Sequence, residues 1–66
     1  MKIGDLVFEV PLGKEWFQNN PWLTSPGLGI ITELISEDKV IVWWSSGDYQ
    51  GQLHEHDTDY LVKVEA

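Results

Sequence analysis

The stretch "VIVWWSSGDYQ", residues 40 to 50, decides the fold, because it sets two tryptophans side by side just before a glycine-containing turn. Residues 40 to 44 are all β-branched or aromatic, the composition that suits a pleated surface, so they are read as a strand. Neighbouring strand residues point to opposite faces, so Trp43 and Trp44 cannot lie in one core. Taking Val40, Val42 and Trp44 as the inward set leaves Ile41 and Trp43 facing outward, to be covered by something else. "SSGD" (45 to 48) then reads as a tight turn, with Gly47 free to take a positive φ.

The rest of the chain arranges itself around that strand. "DLVFEV" (5 to 10) reads as a first strand, with Leu6, Phe8 and Val10 on one face and Val7 and Glu9 on the other, ended by Pro11, which cannot donate to a ladder. Residues 11 to 27 carry all three prolines and are read as one long loop, either folded on its own aromatics or functional. "LGIITELI" (28 to 35) is a second strand with apolar residues on both faces, and Gly29 marks a bulge or bend within it. "SEDK" (36 to 39) is a polar turn. "YQGQLH" (49 to 54) alternates as a half-exposed fourth strand, "EHDTDY" suits a single helical turn, and "LVKVE" (61 to 65) supplies the fifth strand.

Five short strands, a long first loop, two tight turns and a helical turn before the last strand predict an all-β fold, a small closed five-stranded barrel over residues 1–66. Closure would hide edges that an open sheet exposes to other chains. Specific residues resemble the SH3-like barrels: "GDLV" (4 to 7) opens the first strand, "GIITEL" (29 to 34) is similar to G-x-V-x-x-I, and "VIVWWSSG" (40 to 47) is similar to V-x-V-x-W-x-x-G. "YLVKV" (60 to 64) resembles the closing strand of the same group. The pattern is similar to Mind-bomb-type modules and to small bacteriophage SH3-like proteins. It covers the first strand and the chain from Gly27 onward. Trp43, Trp44 and Tyr60 also resemble the Trp pair and late Tyr of peptide-binding SH3 domains, from which the first loop departs by having no Ala-Leu-Tyr-Asp-Tyr run.

The resemblance implies a fold rather than an activity, and composition narrows the classes. Eleven acidic residues against four basic ones give a formal charge of −7, with a pI near 4.4. Binding a phosphate backbone needs clustered Lys and Arg, and there is no arginine, so nucleic acid is not expected as a direct ligand. No apolar run reaches the roughly 20 residues of a membrane span. Met1 to Asp5 shows no signal-peptide pattern, so the expected location is cytoplasmic, in the host cytoplasm if the chain is phage-encoded. With no cysteine, disulfides and thiolate zinc sites are excluded.

The residues singled out for binding a protein partner are Trp16, Phe17, Trp22, Ile41, Trp43 and Tyr49. Tryptophan and tyrosine are common interface anchors. The same side chains have two other readings: the loop aromatics fold onto Ile41 and Trp43 as a satellite core, or Glu15 or Asp48 beside Trp rings forms a cage for a methylated ammonium. "HEHDTD" (54 to 59) offers weak metal candidates, His54, His56 and Asp57, with Asp59 as another oxygen; the competing reading is a solvated turn capped by Asp57 or Thr58. No serine lies in a nucleophile elbow and no glycines form a phosphate cradle, so neither an enzyme nor a cofactor is expected. The expected function is a non-catalytic protein-binding module. The alternatives are a structural or self-associating module and an acidic nucleic-acid mimic directed at a basic host protein.

Overall fold

The computed structural model describes residues 1–64. Its strands are β1 (Leu6–Glu9), β2 (Gly29–Leu34), β3 (Lys39–Trp44), β4 (Leu53–Asp57) and β5 (Leu61–Lys63). A short helix α1 (Lys14–Asn19) lies between β1 and β2, and a 3-10 turn (Thr58–Tyr60) lies between β4 and β5. All five strands form one antiparallel sheet in the order β4-β3-β2-β1-β5. Among the described residues no helix is long and apolar enough to cross a membrane.

β3 alternates as its composition requires. Val40, Val42 and Trp44 are buried, Trp44 to 2% exposure, whereas Trp43 is 39% exposed. With Val7, Ile31 and Leu61 they form the core on the concave side of the sheet. Gly29 sits opposite Trp44 across the β2–β3 ladder. A Cβ at Gly29 would come within 3.0 Å of the Trp44 ring, and nearer still to Val42 Cγ1. Glycine at 29 is therefore space for the indole. The bulge expected at Gly29 falls further on, as a register shift between Ile31 and Glu33.

The expected closed barrel is not formed: β4 and β5 are the two edges of the sheet. The sheet is nevertheless strongly curled. In a flat sheet, three strand spacings would hold β1 and β4 roughly 14 Å apart. Instead, the side chains of Glu9 on β1 and His56 on β4 approach to 3.3 Å. The 3-10 turn spans the gap: Asp57 caps it by accepting from the Asp59 N–H at 3.0 Å, and the Val10 N–H donates to the Tyr60 carbonyl at 2.8 Å.

Three sequence expectations shift. The fourth strand begins at Leu53 rather than at Tyr49. Gly47 and Gly51 both take positive φ, as the former was expected to, and bend residues 45–52 into a wide loop closed by Gly51 N–H to Trp44 O (2.7 Å) and Trp44 N–H to Gln52 O (3.0 Å). As a result "HEHD" is strand rather than solvated turn. The long first loop contains α1, whose Asn19 and Asn20 side chains donate to the carbonyls of Glu15 and Trp16. Finally, Glu65 of the expected fifth strand lies outside the described residues.

Candidate functional site

The ladders bring one row of apolar side chains together on the convex face. Leu6 is opposite Ile30, Ile30 opposite Trp43, and Trp43 opposite Leu53. Directly paired residues of antiparallel strands share a face, so these four side chains run across β1, β2, β3 and β4 as a single stripe. Leu6 is 43% and Leu53 61% exposed, on either side of the 39% exposed Trp43. In the next row Ile41, half-buried, stands between Glu33 and Glu55. Glu55 lies 3.4 Å from Lys39, and Glu33 has no ion-pair partner among the described residues. The site is a narrow apolar band bordered by carboxylates.

The first loop leaves Leu6, Trp43 and Leu53 of this band exposed. Phe17 of α1 packs edge-on against Phe8 of β1, with centroids 5.6 Å apart. Among the described residues no aromatic ring packs on Trp43. The satellite core expected on Ile41 and Trp43 is thus built on Phe8 instead. The returning loop is tied by its backbone at both sides: Ser25 N–H donates to the Glu9 carbonyl at 3.0 Å, and Leu28 N–H donates to Ser46 Oγ just beyond β3 at 3.0 Å.

The other aromatics singled out in the sequence fall in separate places. Trp22 stands 72% exposed in the loop. Trp16 shares a cleft with Tyr60, Glu15 and Asp59, between the start of α1 and the 3-10 turn. Tyr49 lies on the concave side, 4.5 Å from the ring of His54 and 6.1 Å from that of Trp44. Ile41 and Trp43 alone share the band, which sequence reasoning completes with Leu6, Ile30 and Leu53 only when the register is known.

On the concave side His54 and His56 share a face of β4, with ring centroids 6.3 Å apart. Asp57, next in the strand, points the other way and accepts from Asp59 N–H. No group of three or more His, Cys, Asp or Glu side chains among the described residues is arranged to hold a metal ion. His56 is fully engaged: Trp44 Nε1–H donates to its Nε2 at 3.0 Å, and its Nδ1 faces Glu9 Oε2 at 3.3 Å. An indole nitrogen can only donate, so Nε2 must carry the lone pair and the neutral ring holds its proton at Nδ1, toward Glu9. Burial pushes the imidazole below its ordinary value of 6.5, with Glu9 opposing and His54 adding to the shift. A carboxylate–imidazole pair can serve as a general base, but here the basic nitrogen is occupied by Trp44.

At the far end of β1, Asp5 is buried. Its carboxylate accepts from the Lys2 N–H at 2.9 Å and lies 3.7 Å from the Lys63 ammonium. The backbone hydrogen bond first, and then Lys63, hold its pKa below the ordinary 3.8 against the opposing effect of burial. No family model, no curated protein and no solved structure matches this chain.

Proposed function

We propose that this chain is a non-catalytic protein-binding module of SH3-like architecture whose contact surface is the convex band centred on Trp43. The observation that carries the reading is the in-register row Leu6–Ile30–Trp43–Leu53, in which Leu6, Trp43 and Leu53 are exposed and Ile30 is half-buried. Interfaces concentrate their energy in a few central aromatic anchors surrounded by side chains that exclude water, and Trp43 with its neighbours has that arrangement. The architecture is supported by the strand order, the long first loop and the 3-10 turn before β5.

A second reading, self-association, is favoured by the two strand edges β4 and β5, which among the described residues have no ladder partner on their outer sides and could pair with another copy. The formal charge of −7 opposes it, since two copies repel at low salt. One comparison tests both. Wild-type protein and Trp43→Ala, matched for fold by two-dimensional NMR, are compared in partner capture from the source cell and in sedimentation over a concentration series. A partner retained by the wild type and lost by the variant is the expected result. A reversible dimer lost in the variant would favour self-association. Identical behaviour of the two proteins in both assays would remove the band as a contact surface.

A further inference from the structure

We propose that Glu9, His56 and Trp44 form an acid-labile clasp across the open mouth of the sheet, doing with side chains what a β4–β5 backbone ladder would do in a closed barrel. Two observations carry it. Among the described residues the sheet has no ladder between its edges. The chain from Glu9 Oε2 to His56 (3.3 Å) and from His56 to Trp44 Nε1 (3.0 Å) ties β4 to β1 and to the core across the concave side. Among the described residues, no buried polar side-chain atom is without a partner, and the Trp44 indole donor has its acceptor when His56 is neutral.

The clasp holds in only one protonation state of His56. A proton added at Nε2 would face the Trp44 N–H, replacing a hydrogen bond by two opposed donors. The imidazolium must then leave Trp44, or the ring must stay neutral. The groups facing His56 set the balance: Glu9 from β1 favours the charged form. His54 from β4, 6.3 Å away centroid to centroid, disfavours it. Tyr49 from the 45–52 loop, at 6.3 Å, and Trp44 from β3, at 5.2 Å, are the other rings packed against it. The direction of linkage follows. The folded-state affinity of His56 for a proton is below the unfolded one, so the unfolded chain binds more protons as the pH falls through the ordinary histidine range. The stabilisation is fully present above about pH 6.5 and is lost as the pH falls toward the lowered folded value.

The test follows the imidazole and indole nitrogens by NMR in the full chain. At pH 8 the clasp requires His56 as the Nδ1–H tautomer and the Trp44 indole proton protected from exchange. As the pH is lowered below 6.5 that protection falls, while the amide spectrum stays dispersed. His56→Gln can still accept from Trp44 but cannot titrate, so it keeps the indole protection over this range. His54→Gln removes a neighbour that disfavours the imidazolium, so protection is still lost on acidification but at higher pH than in the wild type, which separates the two histidines. Glu9→Gln removes the charge that favours imidazolium and shifts the loss to lower pH. An Nε2–H tautomer at pH 8, or coincident acid profiles for wild type and His56→Gln, would overturn the proposal.

Discussion

Gly29→Ala tests the packing that holds the two halves of the core together. The added methyl would stand 3.0 Å from Cε3 and 3.1 Å from Cδ2 of Trp44, and closer still to Val42 Cγ1. Both neighbours are buried in the core and cannot swing into solvent. Forcing an extra carbon into a packed core costs about 1–3 kcal/mol, while the stiffer unfolded chain returns about 0.4–1 kcal/mol. The net expectation is a loss of about 1–2 kcal/mol. At about 0.05–0.15 kcal/mol per residue, a chain of this length has roughly 3–10 kcal/mol in all. In thermal melts at pH 7.5 the loss should appear as a drop of roughly 5–15 °C. The mechanism is tested by adding Val42→Ala, which removes the nearest obstructing methyl. The double variant should be more stable than the sum of the two single losses predicts, by at least about 0.5 kcal/mol. Gly4→Ala is the control: nothing lies near its Cβ, its cost comes from a φ of +93°, and it should not couple to Val42. Strictly additive costs for Gly29→Ala and Val42→Ala, or no cost for Gly29→Ala alone, would refute the steric argument.

Trp44→Ala should cost about 3–5 kcal/mol and leave little or no folded protein by circular dichroism, whereas Trp43→Ala should cost about 1 kcal/mol and stay folded. Equal loss from both would contradict the assignment of faces. Asp5→Ala removes the acceptor of the Lys2 N–H and the partner of Lys63, and its denaturation midpoint should fall further than that of Asp5→Asn, which retains an acceptor. Because the folded pKa of Asp5 is depressed, its contribution is present above the ordinary value of 3.8 and disappears as the pH falls through the folded value, so the wild type and Asp5→Asn should converge in stability at the most acid pH. Lys39 and Glu55 are both about half exposed, so Lys39→Ala should change stability by less than about 0.5 kcal/mol in the same denaturation assay.

What could be read from the chain depended on how local its cause was. The facing of Trp44 and Trp43 follows from alternation within five residues, and the pocket that confirms it, Gly29, lies on the adjacent strand. The Asp57 cap of the 3-10 turn is likewise a two-residue matter. The alternation of "YQGQLH" starts β4 too early, because Gly51 at a φ of +77° breaks the strand before Leu53. α1 left almost no trace: its N-cap is Gly13, with no side chain to cap it, and its six residues are too few for a periodic apolar face. Curvature was the least legible feature, since an open curled sheet and a closed barrel ask the same pattern of each strand. One signal for the His56 contact was nevertheless present. A fully buried tryptophan has an N–H that must find an acceptor. Once Trp44 is placed inward and β4 pairs with β3, the inward side chains of β4 are His54 and His56, the only imidazoles in the chain. The indole donor thus fixes which nitrogen of its partner stays bare. What it cannot supply is Glu9, because only the three-dimensional curl of the sheet carries β1 to that imidazole. The same curl separates the two tryptophans by purpose: the concave side joins Trp44 to β1 and β4, and the convex side presents Trp43 with Leu6, Ile30 and Leu53 as one continuous row.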